Sequence, residues 1–229
     1  MAVPSRRSTA GVLRRLARAH GRPGGPVSGD ADAVGTLVAT ILSQNTSDTN
    51  SGAAFRKLRE RFGSWDEVAD ARSDAIARAI RSAGLSRQKA PRIRKILRAI
   101  REERGEVSLE FLRGWGADAA YGYLVAHDGV GPKTALCVLL FALDMPVFPV
   151  DTHIERITRR LGWLDDATPA ARAHETLTPA ISPGNRRDLH LLLITHGRRI
   201  CRARNPRCGE CCLLDVCPTG QMCLQGPAA

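Results

Sequence analysis

The stretch Gly129-Val130-Gly131-Pro132-Lys133-Thr134 leaves this chain few conformations to choose from. Two glycines one residue apart let the backbone turn tightly and present bare amide N–H groups. Pro132 sits where a helix begins, with no N–H to leave unpaired and φ already set. Residues 135–141 are apolar all round and read as a buried helix. A glycine hairpin feeding a helix N-terminus is an anion site, and phosphate is the obvious anion. Lys133 stands at the mouth of that site, as a phosphate contact or as an amine nucleophile.

The charge balance fits a partner that carries phosphates. The 229 residues hold 34 basic against 23 acidic side chains, a formal net charge of +11. Such a surplus points to nucleic acid or an anionic surface and says nothing about fold. Only four of the basic residues are lysines, namely Lys57, Lys89, Lys95 and Lys133. Arginine keeps its proton in a protein and cannot serve as an amine nucleophile, so a lysine beside the hairpin stands out. No stretch reaches the roughly 18 consecutive apolar residues of a membrane span, and no secretory signal is evident. The expectation is a soluble, cytoplasmic, nucleoid-associated protein with no membrane partner.

Periodicity along the chain is helical, with almost no strand signal. Val34, Leu37, Val38, Ile41 and Leu42 recur at helical spacing, with Asp30 or Asp32 as N-cap. Ile93, Ile96, Leu97 and Ile100 form a second stripe that ends near Gly105. Residues 12–18 read as a basic first helix, 189–195 as a helix despite strand-like composition, and 20–29 as a linker rich in glycine and proline. The fold class is all-α.

Cys201, Cys208, Cys211 and Cys217 have the spacing Cys-x6-Cys-x2-Cys-x5-Cys within one short loop. Four thiolates so close in a chain without an export signal mean a metal site rather than disulfides. Zinc usually pairs two tight knuckles across a longer spacer. A single close pair in an encircling loop favours a cubane iron–sulfur cluster, with zinc the alternative. Arg202, Arg204 and Arg207 form a basic tip between the first two cysteines, able to rest on phosphates. Cys212 reads as a bystander, Cys137 belongs to the buried helix, and Cys223 lies in a tail without an assigned role. Further along, Val150-Asp151-Thr152-His153-Ile154 places Asp151 as N-cap of a helix through Ile154, Ile157 and Leu161. A carboxylate held there also suits an electrostatic partner for an amine or a cationic intermediate.

These stretches together resemble endonuclease III-type DNA glycosylases of the helix-hairpin-helix superfamily. The hairpin 129–135, the aspartate segment 150–156 and the four-cysteine spacing carry the likeness. So do Ile41-Leu42-Ser43-Gln44-Asn45-Thr46-Ser47-Asp48 and Gly84-Leu85-Ser86-Arg87-Gln88-Lys89-Ala90. It spans roughly residues 10–218, and the order of the pieces makes it specific.

The resemblance implies a base excision repair enzyme acting as a monomer on damaged double-stranded DNA. Two helical lobes are expected, residues 26–145 with the hairpin, and 1–25 plus 146–229 with a [4Fe-4S] cluster loop at 201–217. Lys133 matches the family's catalytic lysine and Asp151 its essential aspartate. Leu85 falls on the wedge that enters the base stack, and Asn45 where the family places a gap-filling glutamine. Gly129 and Gly131 would grip backbone phosphate, and Arg202, Arg204 and Arg207 would lie along DNA. Asn45 departs from the family by one methylene. His127-Asp128 replaces the usual Leu-Pro ahead of the hairpin and sets an acid beside a phosphate-binding turn.

The implied chemistry is bifunctional. A damaged pyrimidine, oxidised by expectation, is flipped out, displaced by Lys133 with Schiff-base formation, and the strand is cut by β-elimination 3′ to the abasic site. A monofunctional uracil or thymine mismatch glycosylase is one alternative, against which Lys133 argues. A non-catalytic metal-loop nucleic-acid-binding protein is another, and it leaves the pairing of Lys133 with Asp151 unexplained. An adenine-excising relative would need a glutamate near the first DNA-facing helix, and none occurs in residues 29–55.

Overall fold

Helices make up every regular element among the residues that the computed structural model describes, 4–23 and 32–225. In chain order they are α1 (Arg6–His20), α2 (Ala33–Ser43), α3 (Asp48–Arg61), α4 (Trp65–Asp70), α5 (Ser73–Ala79) and α6 (Ser86–Arg104). There follow α7 (Ala117–Val125), α8 (Pro132–Phe141), α9 (Thr152–Arg160), α10 (Ala173–Ala180), α11 (Arg186–Arg199) and α12 (Pro218–Gln225). The all-α expectation holds, and the apolar run 189–195 lies inside α11 rather than in a strand. No helix among the described residues is long and apolar enough to cross a membrane. The expected linker 20–29 begins on the last residue of α1, and its residues 24–29 lie outside the described residues.

The chain divides into two compact units, Val27–Met145 and Met1–Pro26 with Pro146–Ala229. In the first, α2 is the central rod, buried at Ala33, Val34, Leu37, Val38, Ile41 and Leu42 and packed on α3, α6 and α8. Asp32 caps it, its Oδ1 accepting from the Val34 N–H at 3.0 Å and its Oδ2 from the Trp65 indole. Asp30, the other candidate cap, lies outside the described residues. The stripe Ile93, Ile96, Leu97 and Ile100 buries α6 against α4 and α5, and Gly105 ends the helix in a left-handed cap.

In the second unit α11 packs on α1 and α9 over a core that includes Leu16, Phe148, Ile154, Ile157, Leu189 and Leu193. Gly197 lets α11 approach α9 closely, since a methyl group there would press on the His153 side chain. Leu213 and Cys217 join the same core, so the cysteine loop is anchored in it rather than hung from the surface.

Candidate active site and cysteine loop

The hairpin lies between α7 and α8, which pack on each other. Its two glycines do different work. Gly129 takes φ +86°, a left-handed conformation, and a Cβ there would collide with the side chain of Arg92. Gly131, the N-cap of α8, is extended and has open space where a side chain would stand. Its bareness leaves the first amide groups of α8 reachable by a ligand. Pro132 occupies the first turn as expected, and residues 134–140 are buried.

Lys133 is half-buried in the first turn of α8. The other lysines are placed differently. Lys57 is exposed late in α3. Lys95 pairs with Asp128 at 3.2 Å on the surface, so the acid beside the hairpin has a cation next to it. Lys89 is 2% exposed, and its amine donates to the carbonyls of Leu42, Gln44 and Ala83 at 2.7–2.9 Å. Burial pushes its pKa down, with Arg92 adding to the effect. His127 turns its carbonyl to the Val130 N–H and its ring against Tyr123.

Asn45 and Leu85 both adopt positive φ, at 54° and 49°. A branched apolar residue rarely sits there, and such strain persists only where surrounding structure enforces it. Leu85 is also 49% exposed, unusual for a leucine at the start of a helix. Gln44 was not singled out by sequence reasoning. It links the end of α2 to α6 and to the first turn of α8, accepting from Arg92 Nη1 and donating to Thr134 Oγ1, both at a long 3.4 Å.

In the other unit Asp151 caps α9, its Oδ1 accepting from the His153 and Ile154 N–H groups at 2.9 and 2.8 Å. The same helix holds the cysteine loop. Arg156 donates to the carbonyls of Gly197 and Cys201, and Arg160 to those of Arg202 and Ala203. Arg202, Arg204 and Arg207 are exposed at the tip, Arg207 beside Glu210 at 3.6 Å.

Cys201, Cys208, Cys211 and Cys217 all line one cavity of about 190 Å³. A single tetrahedral zinc would draw its sulfurs to roughly 3.8 Å of one another, from Zn–S bonds of about 2.3 Å. Among the described residues these cysteines form no group of three or more with all sulfurs within 4.8 Å. Four thiols around one cavity are a donor set that suits a metal centre. Three of the four sulfurs already have N–H donors. Arg160 Nη1 reaches Cys201 Sγ at 3.1 Å, the Gly220 N–H reaches Cys217 Sγ at 3.4 Å, and the Leu213 N–H reaches Cys211 Sγ at 3.4 Å. His196 Nε2 also lies 3.4 Å from Cys211 Sγ. With that thiolate as acceptor, Nε2 carries the ring proton, and Nδ1 accepts from His20 Nε2 at 3.0 Å. Cys212 lies near both rings, within 4.8 Å of their nitrogens. Burial pushes the Cys211 thiol up to about 11 and raises Cys208 and Cys217 too, so loading a metal centre must displace protons.

Known proteins resemble this chain in sequence and in fold. The family model of HhH-GPD superfamily base excision DNA repair proteins matches residues 38–181. A putative DNA glycosylase of Arabidopsis thaliana is 42% identical over 71% of this chain, which spans 55% of that relative's length. Endonuclease III of Sulfolobus acidocaldarius is 36% identical over 80% of each chain. A solved non-covalent endonuclease III–DNA complex superposes with TM-score 0.80 at 26% identity, covering 96% of this chain and 99% of that one.

Proposed function

We infer, from the premise that this chain belongs to the HhH-GPD superfamily of base excision DNA repair proteins, that it is a bifunctional DNA glycosylase and abasic-site lyase acting on damaged duplex DNA, with oxidised pyrimidines as the substrate class. The observation that carries the reading is the placement of Lys133. Lys89 is buried and fully engaged, Lys95 faces Asp128, and Lys57 is exposed late in α3. Lys133 alone of the four stands in the first turn of α8, next to the open backbone of Gly131.

In this reading the backbone N–H groups of Gly131 and Lys133, on either side of Pro132, hold a backbone phosphate, while Leu85 enters the base stack and Asn45 fills the space left by the extruded nucleotide. Lys133 Nζ attacks C1′ of the flipped sugar, and the base departs with the electron pair of its glycosidic bond. Opening of the sugar ring gives the Schiff base. Loss of a C2′ proton then expels the 3′ phosphate, and water releases Lys133. Asp151, fixed by two backbone donors, stabilises the cationic sugar or accepts the proton that frees the amine.

Cys201, Cys208, Cys211 and Cys217 would hold a [4Fe-4S] cluster, whose irons bind four thiolates and cross-link the loop. The chain's own part is to place Arg202, Arg204 and Arg207 on that loop for contact with DNA phosphates.

Borohydride reduction on duplexes containing thymine glycol or an abasic site tests the assignment. The wild type is expected to leave a covalent protein–DNA adduct on both, and Lys133→Gln none while still binding DNA. An adduct formed by Lys133→Gln would remove Lys133 from the role of nucleophile.

A further inference from the structure

A fifth cysteine shares the cavity of the four already described. Cys223 follows Cys217 with the same five-residue gap that separates Cys217 from Cys211. Its helix, α12, starts at Pro218 directly after Cys217 and folds back over the loop, packing on α9 and on the short 3-10 turns at 208–210 and 214–216. Thr219, Gly220 and Cys223 fall on one side of α12, at i, i+1 and i+4, and all three line the cavity. Cys223 is exposed as well as lining the cavity, and Met222, on another side, is 61% exposed. Cys208 opens the 208–210 turn on which α12 packs, and it lines the same cavity as Cys223.

A cubane centre offers one iron to each of four protein thiolates, so five cysteines around one cavity leave one in surplus. We propose that Cys223 is a reserve ligand of the cluster, placed by α12 to take over the iron site of Cys208. The exchange needs no oxidant. The bond from iron to the Cys208 sulfur breaks, one from iron to the Cys223 sulfur forms, and the Cys223 proton passes to Cys208. Cys208 is the suited partner for exchange because α12 packs on its own turn, 208–210, and both cysteines face one cavity, whereas Cys201, Cys211 and Cys217 accept from the donors of Arg160, Leu213 and Gly220.

The proposal rests on the cluster reading, and the experiment separates the two. Iron and acid-labile sulfide are measured per full-length chain, with visible absorbance, for wild type, Cys208→Ala, Cys223→Ala, Cys208→Ala/Cys223→Ala and Cys211→Ala. Cys208→Ala is expected to keep at least about half of the wild-type iron, and the double variant less than about a tenth, a non-additive loss. Cys223→Ala should load fully, and Cys211→Ala should lose its iron although Cys223 is present. Equal loss in Cys208→Ala and the double variant overturns the role of Cys223. A wild type without iron and sulfide overturns the cluster reading instead. Cys223→Ala keeps all four primary ligands, so it also decides the matter if Cys208→Ala fails to fold. Chelator-driven iron release should be several-fold faster in Cys223→Ala than in wild type, and identical rates would refute a reserve ligand.

Discussion

The buried amine of Lys89 donates to the carbonyl of Gln44 at 2.7 Å, one peptide ahead of Asn45. The same amine holds Leu42 and, at 2.9 Å, Ala83, two residues ahead of Leu85. One side chain thus fixes both loops that carry positive-φ residues. Lys89→Met would leave three carbonyls without their donor, at a cost of about 3 kcal/mol. Urea unfolding should show that loss, and binding to damaged duplex should weaken more than binding to intact duplex. A variant as stable as wild type would deny Lys89 this part.

Gly129→Ala should be damaging out of proportion to one methyl group. The left-handed backbone costs about 1–2 kcal/mol with a side chain, and the new Cβ must also displace Arg92. Gly131→Ala meets no atom and should leave stability unchanged. Thermal unfolding of the pair separates the two glycines, and DNA binding should still suffer in Gly131→Ala, where the methyl group covers open backbone.

Leu85→Gly should gain stability and lose activity together. Relief of the left-handed backbone is worth about 1–2 kcal/mol, of which glycine's extra freedom in the unfolded chain takes back about 0.5–1, and the half-exposed side chain gives up little packing. Excision from duplex should slow, whereas the lyase step on an abasic site, with no base to extrude, should slow less. Equal effects on both steps would argue against a wedge.

His127 should make the protein acid-sensitive. Burial holds its pKa below the ordinary 6.5, with Glu103 opposing weakly. As pH falls below that value the unfolded chain binds a proton that folded His127 does not, so its contribution is present above pH 6.5 and lost below. Urea unfolding at about pH 7.5 and about pH 5.5 should show a smaller difference in His127→Phe than in wild type.

Much of this was legible in the chain as written. The stripe Ile93, Ile96, Leu97 and Ile100, the cap at Asp32, the stop at Gly105 and the Asp151 cap are local patterns, each read within one or two helical turns. The hairpin and the cysteine spacing were equally local. His196 carried a faint signal, five residues ahead of Cys201, that only its distance to Cys211 makes meaningful.

The amino-acid sequence by itself determined the helical class, the helix termini, the position of Lys133 beside a bare hairpin and the four-thiolate loop, because each depends on neighbours within a few residues. Tertiary structure decided what long side chains reach. Lys89 finds Leu42 across 47 residues, Gln44 finds Thr134 across 90, and Arg160 finds Cys201 across 41. The gathering of Cys223 into the cavity of the other four belongs there as well. Such contacts follow from how helices pack, and the rotamer that completes each one is chosen only once the surrounding core has closed.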